Sequence, residues 1–129
     1  MTIDHATAAD LLERMAKARI AFDGEGWTNL FTEDTVLQRD PADPPLTGHN
    51  AVRGDLLAAS AIEEQVAFTW ERHWVVPPTI LAPWRMSYVD RRSHARVSLA
   101  GFATLEVAPD GRISRSRWWF FRHEAPTTR

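Results

Sequence analysis

The chain has 129 residues, no cysteine, and 15 basic against 17 acidic side chains, for a formal charge of −2. A chain of this size forms one domain and buries roughly two thirds of its unfolded surface. The composition excludes a disulfide framework, a thiolate nucleophile and a cysteine-based metal site, and the charge gives no general attraction to nucleic acid or to an anionic membrane.

The opening MTIDHATAADLLERMAKA has no apolar run flanked by basic residues, and nothing later approaches the roughly eighteen apolar residues of a membrane span. Neither a signal peptide nor a span is expected, and the expected location is cytoplasmic. Residues 8–22 form the clearest helix: Leu11, Met15, Ala18 and Phe22 recur at spacings of three and four, with Glu13, Arg14 and Lys17 opposite. Thr7 is the expected N-cap, and Asp23-Gly24-Glu25-Gly26 the expected stop. A second, short helix is predicted over 27–31 and a strand over 35–39. Pro41, Pro44 and Pro45 end that strand by removing donors and fixing φ. Helical spacing returns over 49–62 through Val52, Leu56, Ala59 and Ile62.

Strands follow. Residues 65–76, 80–89, 96–107 and 112–123 all alternate with period two, and Asp110-Gly111 marks the hairpin between the last two. Pro83 falls inside the second of these, which predicts a bulge or an edge there. Residues 124–129 read as a frayed tail. Charge divides along the same line: residues 1–84 hold 13 acids and 6 Lys/Arg, and residues 85–129 hold 4 acids and 9 Arg. That predicts an acidic helical layer beside a basic sheet edge. The order ααβαββββ gives a single α+β domain over 1–129, a curved, mostly antiparallel sheet covered by about three N-terminal helices. Long strands twist and coil, so the covered face becomes concave, a cone-shaped α+β barrel around an apolar hollow.

GWTNLFTED after the first helix, PPLTGHNAVR opening the third, APWRM in a central strand and DGRISRSRWWF near the end together resemble the nuclear transport factor 2-like superfamily, in its SnoaL-like and ketosteroid isomerase-like branch. The resemblance covers about residues 7–123. It implies a helix-covered conical pocket, usually in a dimer, that takes apolar small molecules without a cofactor. Its members include isomerases, polyketide cyclases, dehydratases and epoxide hydrolases, so fold alone does not name the reaction. Carried over residue by residue, the steroid-isomerase general base falls on Asp40, or on Arg39 if the hinge is aligned without a gap. The oxyanion tyrosine falls near Met15 and the protonated aspartate on Ala103, and neither of these can donate a hydrogen bond. The last-strand acid of the cyclases and epoxide hydrolases falls in Trp118-Trp119-Phe120-Phe121, where no acid stands.

Asp40 is therefore the expected base, since a carboxylate beside an apolar hollow is disfavoured in its charged form and suited to taking a proton. The alternative role for Asp40 is capping the turn before Pro41; Asp43 reads as a solvated turn residue. His49 and His73 are further catalytic candidates near the hollow's edges. Five scattered histidines with no metal-ligand spacing give no expected metal site. Trp84, Met86, Tyr88, Leu99, Ala103, Trp118 and Phe120, with Met15, are the expected walls for a flat apolar or aromatic ligand. On the other face of the last strand, Arg115, Arg117, Trp119 and Phe121 suit a homodimer interface, the arginines pairing with Glu71 or Glu106. A single-stranded nucleic-acid groove of interleaved arginines and aromatics is disfavoured by the overall charge. Two functions stay open: a cofactor-free isomerase, cyclase or dehydratase, or a non-catalytic binding or dimerisation domain.

Overall fold

A computed structural model describes residues 3–125. Helix α1 spans His5–Ala21 and starts earlier than its apolar spacing predicts, because Asp4 rather than Thr7 is the N-cap: its carboxylate accepts the Thr7 N–H at 2.8 Å. The helix ends on Phe22, which takes a left-handed φ of 52°. The glycines expected to stop α1 instead open α2, Gly24–Thr28, capped by the Asp23 carboxylate on the Gly26 N–H at 3.0 Å. Phe31, expected at the end of the short helix, is the first residue of β1, Phe31–Gln38.

Across the proline hinge, a two-residue strand β2, Leu46–Thr47, pairs back on β1 and leads into α3, Gly48–Ser60. The single strand expected over 65–76 is two: β3, Glu63–Trp70, and β4, Trp74–Val76. Three long strands complete the chain, β5 at Thr79–Asp90, β6 at Arg96–Val107 and β7 at Ile113–Ala125. Glu124 and Ala125, expected to fray, pair with Val97 and Arg96; the rest of the expected tail, 126–129, lies outside the described residues.

The sheet runs β2-β1-β7-β6-β5-β3, with β4 also on β5; among the described residues only β1 and β7 pair in parallel. It is curved but unclosed, an α+β layer rather than a complete barrel. Pro83 explains the gap between β3 and β4. A strand residue's N and carbonyl point to the same side, and the Pro83 carbonyl accepts the Glu71 N–H at 2.9 Å. Its missing N–H therefore falls where β5 changes partner from β3 to β4, while pairing with β6 runs through Pro83 unbroken. Helix α1 packs on β3 and α3 on β1. Leu11 and Met15 of α1 and Ile80, Val97 and Leu105 of the sheet are buried in one core cluster. No helix among the described residues is long and apolar enough to cross a membrane.

Candidate functional site

Between the concave face and the helices lies a cavity of about 360 Å³. The alternation of β5, β6 and β7 brings Trp84, Met86, Tyr88, Leu99, Trp118 and Phe120 to its wall. Trp84 sits edge-on to Trp118 at 5.6 Å and stacks on Phe68 at 5.7 Å, so the aromatic wall braces itself. Ala103 and Met15 are fully buried in the core and do not reach the cavity. His49 is turned to the Phe31 carbonyl, 2.8 Å from Nε2, and does not border it. His73 stacks on His5 at 4.0 Å and borders a separate hollow beside the N-terminal segment.

Asp40 borders the cavity at the hinge. Its Oδ1 accepts the Ala42 N–H at 2.9 Å and its carbonyl accepts the Asp43 N–H at 3.0 Å, so the turn-capping role is filled at the same time. Asp43 is more than a solvated turn residue. With Asp55 of α3 it holds Arg39, at 3.3 Å and 2.7 Å, and all three border the cavity beside Asp40.

Toward the C-terminal ends of β5 and β7, the Tyr88 oxygen accepts from Arg122 Nη1 at 3.1 Å. That leaves the phenolic proton to donate elsewhere. Asp90 accepts from the Arg92 side chain in a fork at 3.0 and 3.3 Å, and also from the Arg92 and Ser93 N–H groups. The Arg92 side chain first, then the backbone donors, hold the Asp90 carboxyl far below the usual carboxylate range.

Two further residues escaped the sequence. Gln65 takes φ of 55°, and the β3–β5 register slips by one residue between Glu64 and Ala67. One inserted residue reverses which face every earlier side chain meets. Glu63 shares parity with exposed Ala67 and Thr69, yet the slip sets it opposite Asp90 on the inner face, 8% exposed. There its Oε2 accepts from Arg19 Nη2 at 3.0 Å. Period-two alternation cannot show such an insertion. Arg19 did leave a signal, since it continues the Leu12–Met15 row of α1 at helical spacing. Among the described residues, no group of three or more His, Asp or Glu side chains is placed to hold a metal ion.

The outer face is also aromatic. Phe102 lies opposite Trp119, and Ala100 opposite Phe121, which is 88% exposed. Arg115 faces Glu106 at 3.8 Å, whereas Glu71 pairs with Arg85.

The family model for the SnoaL-like domain matches residues 12–116. The chain belongs to the SnoaL-like family. With it comes the nuclear transport factor 2-like superfamily, in its SnoaL and ketosteroid isomerase-like branch. The SnoaL-like cone recurs in solved structures. A putative isomerase from Bacillus subtilis is similar at 18% identity over 90% of this chain and 87% of its own, with a TM-score of 0.79. An epoxide hydrolase of Mycobacterium tuberculosis, LEH-like, is 17% identical over 90% and 84%, with a TM-score of 0.75. SalBIII, an epoxide hydrolase/cyclase-like enzyme with a role in pyran ring formation in the polyether salinomycin, is 12% identical over 92% and 93%, at 0.81. At these identities the likeness shows fold alone. No curated protein sequence matches the chain.

Proposed function

We propose that this SnoaL-like protein binds a flat apolar or aromatic small molecule in the cavity and acts on it by proton transfer without a cofactor. The observation that carries the reading is an aromatic-walled cavity bordered by both a carboxylate, Asp40, and a phenol whose proton is free to donate, Tyr88. Asp40 takes a proton from the carbon beside a ligand carbonyl. The Tyr88 hydroxyl, polarised by the Arg122 guanidinium, donates to the carbonyl oxygen as enolate charge develops. Double-bond isomerisation, aldol-type cyclisation and β-elimination of water next to a carbonyl each begin with such a step. His49 and His73 have no part in it, because neither borders the cavity.

2-Tetralone in D2O probes this directly, since base removal of its α-proton leaves deuterium behind. The protein is expected to exceed the buffer rate of exchange, and Asp40→Asn to lower that excess by roughly 10²-fold or more. An equal excess in both proteins would remove Asp40 as the base, and exchange at the buffer rate in both would assign the cavity to binding alone.

The exposed Phe102 and Phe121, with the half-buried Trp119 between them, favour a second copy of this chain as the partner of the outer face. A face carrying both arginines and Glu106 is self-complementary about a two-fold axis.

A further inference from the structure

Resting on that reading of the cavity as a ligand site, we infer that Glu63 and Arg19 form its polar anchor, selecting a ligand group that donates and accepts hydrogen bonds at one point: a hydroxyl, a primary amide or a protonated carboxyl. Three observations converge. First, Glu63 faces inward only because the strand carries a bulge with a left-handed, non-glycine residue at Gln65. Such a conformation is disfavoured locally, and bulges of this kind re-aim side chains beside functional sites.

Second, the pair is incompletely satisfied. A guanidinium and a carboxylate that merely tie a helix to a sheet can meet through two parallel hydrogen bonds. Here a single contact joins Nη2 to Oε2, and Arg19 Nη1 and Glu63 Oε1 are both buried without a partner among the described residues. Both side chains border the cavity, with 17% and 10% of their surface exposed. Leaving a buried atom of a charged group unpaired is destabilising, so a ligand group that meets both atoms through a small turn of the two side chains toward the cavity is favoured.

Third, the open atoms are of opposite kind. Nη1 can only donate and Oε1 can only accept. A ketone satisfies the arginine and leaves the carboxylate oxygen stranded; a hydrocarbon satisfies neither. An amide or hydroxyl meets both.

The test compares 2-naphthamide with 2-acetonaphthone, which differ by an amide NH2 against a methyl group, by calorimetric titration of the intact protein. Wild type is expected to bind the amide roughly tenfold more tightly. In Glu63→Gln the amide carbonyl stays on Arg19 and an NH2 donor replaces the open acceptor, so the preference is expected to invert toward the ketone. Equal affinities in wild type would overturn the anchor while leaving the ligand cavity standing, and that comparison needs no variant to fold. A wild-type preference that Glu63→Gln leaves intact would also overturn it. Binding of neither probe would overturn the cavity reading and the anchor with it.

Discussion

The two faces of the β5-β6-β7 sheet are written in the same residue types and end in different states. On the inner face Trp84, Trp118 and Phe120 stand under helices that cover them without filling the space between. On the outer face Phe121 is 88% and Phe102 37% exposed, while Trp119 is half-buried with the Arg117 guanidinium over its ring. Period-two geometry distributes the run WWFF of β7 alternately to the two sides, so one sequence segment furnishes both an enclosed aromatic wall and an exposed one. Enclosure, not composition, separates a surface suited to a small molecule from one suited to a macromolecular partner.

Gly101 joins the faces. It pairs with Trp84 across β5 and β6, and a Cβ there would lie 2.9 Å from the Trp84 ring and closer than contact distance to the Trp119 carbonyl. The inner indole packs so close to the backbone that only glycine fits beneath it.

The contrast can be broken most heavily from the inside. Trp84→Ala, which removes contacts to Phe68, Trp118 and Phe120, is expected to lower stability by about 3–5 kcal/mol in urea unfolding; a loss under about 1 kcal/mol would mean the wall does not depend on it. Gly101→Ala should cost about 1–3 kcal/mol by overpacking, and an unchanged unfolding midpoint would refute the close approach. Asp90→Asn sharpens the picture through pH. Because the folded carboxyl is depressed, its stabilisation is fully present above about pH 4 and is lost as pH falls through the depressed value. The stability gap between wild type and Asp90→Asn should therefore shrink with acidification; a gap constant from neutral to strongly acid solution would contradict the assigned hydrogen bonds. Smallest in folding terms is the outer face. Phe121→Ala should change monomer stability by no more than about 0.5 kcal/mol, yet shift sedimentation toward monomer, and an unaltered profile would remove the second copy from that face.

What the sequence displayed follows from this geometry. Uninterrupted alternation made the β5, β6 and β7 faces legible, and Trp84, Met86, Tyr88, Leu99, Trp118 and Phe120 line the cavity. The helix boundaries drifted where side-chain caps decided them: Asp4 and Asp23 each captured backbone donors that Thr7 and the glycines were expected to manage. Met15 and Ala103 share faces with wall residues but lie deeper, where packing is complete, and periodicity carries no depth. Glu63 was hidden by an insertion that leaves no compositional trace, since a bulge at Gln65 needs neither glycine nor proline. The hinge charges Arg39, Asp43 and Asp55 were visible as residues but not as a cluster, because it assembles across 16 positions of chain.

The most direct measurement is calorimetric titration of 2-acetonaphthone into the wild type and into Ala59→Phe, which places a ring from α3 into the cavity. Saturable binding of one molecule per chain in the wild type, abolished in the variant, is the predicted result. Identical heats in the two proteins, or no saturable heat in the wild type, would contradict a ligand site beneath the helices.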